Sequence, residues 1–245
     1  MREDMVNGHV ASTLEHLWNH WETRRTSSVA DASDVPPASA VTIAVAREAG
    51  TPGTSLAREV GHRLGWPVYD HELVEHIAQE MGLRASLLES VDEKHVSWLL
   101  ESIESLAGAP GTNQHTYVRR LVETMLALSM HGHCVIVGRG AAQILPSLST
   151  LRVRLVAPLE DRIASVSKIQ ALSLRDAARK VAQIDQDRAA FVRKNFHKDV
   201  TDTRNYDLVL NSSRFSLDEC VGVIVTAAQQ MEAELAKNHP RRRAS

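Results

Sequence analysis

Arg47 to Ser55 reads REAGTPGTS, and these residue types in this order suit the capture of an anion. Phosphate is held by backbone N–H groups that point inward, by the positive end of a helix, and by glycines that let the chain approach closely. Gly50, Gly53, Thr54 and Ser55 supply such groups. Against the phosphate-loop pattern G-x-x-x-x-G-K-[ST], Gly53 and Ser55 occupy the last glycine and hydroxyl places, whereas Glu48 and Thr54 stand where glycine and lysine belong. Gly50-Thr51-Pro52-Gly53 also suits an ordinary turn, with Thr54 or Ser55 capping the helix behind it, so the loop by itself supports both readings.

The missing lysine narrows the chemistry. No lysine precedes Lys94, so a guanidinium has to supply the positive charge if the loop binds phosphate. Arg47 in the loop and Arg139 in Gly138-Arg139-Gly140 are the nearest candidates, because a guanidinium fork grips phosphate oxygens two at a time. Both also read as surface arginines in a chain whose 28 basic residues include 22 arginines. Metal chemistry finds less support. His71 and His76 are five apart, about 140° around a helix, and so miss the i, i+4 spacing of a zinc helix. His131, His133 and Cys134 lie beside Gly132 at a turn and lack an evident fourth ligand.

The elements that must position these residues follow from periodicity. Val41–Ala46, Pro67–Tyr69, Cys134–Val137, Leu151–Val156 and Asp207–Leu210 are short and apolar and read as five strands. Helical patterns separate them, and residues 83–130 read as helix broken by a loop at 107–114. Such alternation predicts an α/β fold of three layers, a five-stranded parallel sheet with helices on both faces and ligands at the carboxyl ends of the strands.

Residues 1–25 place Val10, Leu14, Leu17, Trp18 and Trp21 at helical spacing, predicting an amphipathic helix, and 26–40 read as a flexible linker. The domain proper is expected over 41–232, with a disordered basic tail over 233–245. A net charge of −2 gives no overall electrostatic reason to bind nucleic acid, and no run approaches the roughly 18–20 apolar residues of a membrane span. Cys134 and Cys220 read as reduced core residues, which favours a cytoplasmic protein. The sequence leaves a homodimer open.

VTIAVAREAGTPGTSLAREVGHRLGWPVYDHELVEHIA, VIVGRGAAQIL, LRVRLVAPLEDRIASV, IDQDRAAFVRKNF and YDLVLNSSRFSLDECV occur in this order over about residues 41–230. With these blocks the chain resembles the cytidylate kinase-like family, relatives of bacterial cytidylate kinase among the P-loop nucleoside-monophosphate kinases. The family's loop is similar to R-E-x-G-S-G-G-x-x-[IL]-A and needs no lysine; Pro52 departs from its middle glycine and removes one N–H.

The resemblance implies a P-loop kinase fold with a helical acceptor and lid insertion, the lid over about 168–200. It implies ATP and Mg²⁺ as cofactors and CMP- or dCMP-like nucleotide as the acceptor. Arg47, Gly50, Gly53, Thr54 and Ser55 are then expected at the ATP phosphates, with Ser55 on the ATP-bound metal. Asp70 is expected on the acceptor side, although it equally suits the cap of the next helix. Arg139 matches the arginine of a G-R-D segment that holds the acceptor phosphate, with Gly140 in place of the acid. Arg188 and Arg193 match the lid arginines, although a charged solvent-facing helix would look the same. In a straight helix their spacing of five puts them on different faces, so sharing the site requires a bend. Two other functions fit the same blocks: a nucleotide-binding regulatory module that has lost transfer, and a kinase for a non-nucleotide acceptor.

Overall fold

The computed structural model describes residues 40–80, Arg84, Leu87, Leu88 and 113–238. The expected N-terminal helix, all of the linker but Ala40, the part of the insertion between residues 89 and 112, and the tail from 239 onward lie outside the described residues. The chain divides into two compact units, and among the described residues the sheet unit is carried by the stretch up to His71 that begins at Ala40 and by the stretch from His133 onward, the helical unit by Glu72–Gly132.

Five parallel strands make the sheet: β1 (Thr42–Arg47), β2 (Val68–Tyr69), β3 (Cys134–Val137), β4 (Thr150–Val156) and β5 (Leu208–Asn211). Their order is β2-β3-β1-β4-β5, so β1 is central. Thr42 pairs with Cys134 on one side and Thr150 on the other, and Arg47 pairs with Leu155. A strand flanked on both sides and covered on both faces should be apolar throughout, and Val41–Val45 are all buried. The one hydroxyl in this run, Thr42 Oγ1, lies 3.9 Å from Cys134 Sγ. Both cysteines are buried thiols outside any disulfide.

One face of the sheet packs Ile43, Val45 and Val153 against α1 (Gly53–Leu64) and the final helix, whose Val221 and Ile224 are fully buried. Side chains alternate along β4, so Arg154 points to the opposite face, where Tyr206 meets it and in turn accepts a hydrogen bond from Gln143. Gln143 belongs to α4 (Ala141–Ile144), which puts that helix on the second face. The layers are those expected from the sequence.

In the helical unit, α2 (His71–Gln79) and α3 (Asn113–His131) bury Val74, Ile77, Leu121 and Met125, and Tyr117 donates a hydrogen bond to Glu75. After β4 come α5 (Leu159–Gln170) and α6 (Leu174–Phe196). Ser173 caps α6, its Oγ accepting from the Asp176 N–H at 3.1 Å and donating to Asp176 Oδ2 at 2.7 Å. The final helix, α7 (Leu217–Asn238), continues past the domain boundary expected at 232, because MEAELAKN keeps strong helix formers and no breaker intervenes before Pro240. Among the described residues no helix is long and apolar enough to cross a membrane.

Candidate phosphate-binding site

Helix α1 starts at Gly53 with Pro52 as its N-cap and no side-chain cap. Neither Thr54 nor Ser55 takes the capping role, since both already lie in the first turn. The N–H groups of Gly53, Thr54 and Ser55 therefore have no acceptor within the helix and stand at its positive end. Gly53 is buried, Thr54 half-buried and Ser55 exposed. Gly50 has φ +88°, and a Cβ there would come 2.5 Å from the Arg162 carbonyl oxygen.

Three guanidiniums gather beside this turn. The Arg47 side chain runs past Gly53, where a Cβ would lie 2.9 Å from its Cγ, and ends against Gly138, where a Cβ would lie 2.2 Å from Nη1. Arg188 Nη1 donates to the Arg47 carbonyl at 3.1 Å. Arg139 follows β3 with φ 51°, its guanidinium 5.9 Å from the centre of the Phe191 ring. Burial, with Arg188 and Arg139 nearby, pushes Arg47 down to about 10, and Asp70 opposes the shift. Burial lowers Arg188 too, with Asp185 opposing and Arg139 adding. Burial and the neighbouring guanidiniums thus both disfavour the charges of Arg47 and Arg188, and an anion beside them would favour those charges.

Because the folded-state value of Arg47 lies below that of the free side chain, its charge opposes folding at every pH below about 10, and the cost eases above it. At neutral pH Arg47 stays cationic. Inorganic phosphate at a hundredfold excess over its Kd should stabilise the protein by about 2.7 kcal/mol, raising Tm by roughly 5–10 °C. Arg47→Met should lose most of that rise without losing stability in plain buffer, as differential scanning calorimetry would record. Equal rises in both proteins would remove Arg47 from the site.

Asp70 lies at the end of β2, 3.9 Å from Arg58 Nη2 and within the field of Arg47. Helix α6 runs without a break from Leu174 to Phe196, and Arg193 is not among the charges that act on Arg47 or Arg188. Arg193 is exposed in the last turn, and its carbonyl accepts from the αL residue His197. Gly140 has φ +79°, and a Cβ there would lie 2.4 Å from the Phe196 ring.

Sequence reading missed the frame that holds the loop. Glu48 Oε1 lies 3.4 Å from Arg154 Nη2, and Oε2 accepts from the Ala157 N–H at 3.2 Å and lies 3.4 Å from Arg162 Nε. Asp185 Oδ1 accepts from the Ala49 N–H at 2.8 Å, and Oδ2 from Arg162 Nη1 at 2.5 Å. The signal available was chemical: an acid in an anion-binding loop, and an arginine inside the apolar run LRVRLV, each call for a partner. Of the metal-like cluster, His133 Nε2 is engaged with Glu232 Oε1 at 2.6 Å, and Cys134 lies against Thr42.

The chain is 27% identical to a cytidylate kinase of Methanopyrus kandleri over 191 residues, 73% of this chain and 89% of that one. Against a cytidylate kinase of Pyrococcus horikoshii it is 23% identical over 197 residues, 80% and 92% of the two chains. The solved structure of an uncharacterized protein from Eubacterium ventriosum superposes with a TM-score of 0.64 at 18% identity, covering 78% of this chain and 98% of the other, and so shares the fold. Residues 42–214, from the first residue of β1 to beyond β5, match the sequence model of the cytidylate kinase-like family, and the chain belongs to that family.

Proposed function

We propose that the protein transfers the γ-phosphoryl group of ATP to a nucleoside monophosphate of the CMP or dCMP kind. The observation that carries this reading is the convergence of Arg47, Arg139 and Arg188 beside the open first turn of α1. Relatives named cytidylate kinase support the acceptor class.

Phosphoryl transfer is mostly positioning and charge neutralisation, so arginines and backbone amides suffice without a side-chain nucleophile. The first-turn N–H groups would hold the donor phosphates, Arg188 would meet the transferred group from α6, and Arg139 would hold the acceptor phosphate. Mg²⁺ suits this site only as a companion of ATP. The carboxylates of Glu48 and Asp185 are already held by arginines and backbone N–H groups, and no group of three metal-binding side chains occurs among the described residues. Ser55 Oγ, exposed in the first turn, is the side-chain oxygen that would ligate it, and the bound ion would neutralise charge between the phosphates.

A coupled assay of ADP release over a panel of nucleoside monophosphates and small non-nucleotide alcohols tests the reading. CMP- or dCMP-dependent release is expected. ATP binding with no acceptor-dependent release would favour the regulatory module, a rival supported by the lysine-free loop and by the N–H lost at Pro52. Arg139→Ala should raise the acceptor KM by about tenfold or more with the ATP KM changed by less than about threefold. Equal loss of both would remove Arg139 from the acceptor side.

A further inference from the structure

Asp185 lies in the middle of α6, yet both of its carboxylate oxygens are held from other parts of the chain, Oδ1 by the Ala49 N–H and Oδ2 by Arg162. Arg162, from α5, is nearly buried and also donates to the carbonyls of Ala157 at 3.1 Å and Ala49 at 3.3 Å. One guanidinium thus joins the phosphate loop to the lid helix. Three residues after Asp185, on the same helix face, Arg188 donates to the Arg47 carbonyl. Between α5, α6 and the loop, Ala49, Val166, Ala177 and Val181 form an apolar cluster. That packing holds the helices close, and the two directional bonds of Asp185 add to it a specific rotation and height of α6 against the loop.

We propose that Asp185, clasped by Arg162 and the Ala49 N–H, is a positioning residue that sets α6 so that Arg188 reaches the phosphate loop. This rests on the reading of the loop as a phosphoryl-transfer site. Asparagine is the probe because it keeps the shape: its one carbonyl oxygen can satisfy either Ala49 or Arg162, and its NH₂ then faces the other donor.

The experiment is a double-mutant cycle in the full chain, comparing wild type, Asp185→Asn, Arg188→Met and the double variant for turnover and for hydrogen exchange of the Ala49 amide. Asp185→Asn is expected to lower kcat roughly tenfold with the acceptor KM changed by less than about twofold. In the Arg188→Met background the same substitution should change kcat by less than about twofold, since the group it positions is gone. Exchange of the Ala49 amide should rise about tenfold or more in either background. Tenfold losses that multiply in the cycle, or unchanged turnover and exchange, overturn the proposal. If Asp185→Asn does not fold, Arg162→Lys takes its place in the same cycle with the same criteria. Should the wild type show no acceptor-dependent turnover, the transfer reading falls by itself. The clasp is then decided by inorganic phosphate affinity, weakened by Asp185→Asn only while Arg188 is present; equal weakening in both backgrounds overturns it.

Discussion

Arg188→Met should lower kcat by about three orders of magnitude while changing the Kd for ATP far less. Charge on the transferred group is most exposed in the transition state, and an arginine placed there contributes on the order of 10³-fold or more in phosphoryl-transfer enzymes. Arg188 suits that part because it is largely buried, its charge opposed by Arg139, and it is held in place by the Arg47 carbonyl. Methionine keeps much of the apolar stem, so the loss reports the guanidinium and not the packing. Arg193→Met is the control, with less than about a twofold effect expected from an exposed residue in the last turn of α6. Single-turnover kinetics beside calorimetric ATP binding decide the matter, and a kcat within threefold of wild type would end the assignment.

Glu48→Ala should remove about 3–5 kcal/mol of stability, a fall in Tm on the order of 10 °C. Its carboxylate stands between Arg154 and Arg162, whose side chains are only 10% and 11% exposed, and also accepts from the Ala157 N–H. Deleting it leaves Arg154 with the Tyr206 hydroxyl and ring but no carboxylate among the described residues, while Arg162 keeps Asp185. The penalty is the cost of an uncompensated buried cation, which exceeds what the pair gains over an apolar substitute. Urea unfolding measures it, and a loss below about 1 kcal/mol would show that water or a shifted side chain replaces the carboxylate. Because β1 leads directly into Glu48, with its N–H bonded to the Leu155 carbonyl at 3.1 Å, the same change should loosen the anion-binding turn.

The five strands were legible because each is a short, largely apolar run, most fully in β1, whose first four residues are buried between the two covering layers. Their observed limits differ from the expected ones by at most a residue at either end. Gly50, Gly53 and Ser55 were legible as turn and helix-start residues, whereas placing both Arg188 and Arg193 in the lid rested on a bend in their helix that the sequence does not state. What could not be read was which charges meet. Ala49 and Asp185 are 136 residues apart, Glu48 and Arg154 106 apart, and nothing local in either segment states that α6 returns over the loop.

Local backbone and burial preferences are written residue by residue, so the sequence by itself determined the α/β alternation, the glycine-bearing turn after β1 and the absence of a loop lysine. The tertiary structure decided that Arg47, Arg139 and Arg188 come close enough for their charges to act on one another, and that the Phe196 ring packs against Gly140. Those outcomes depend on strand order and on the rotation of α6, which long-range packing and a few directional ionic bonds set together, and no short stretch of sequence carries that information.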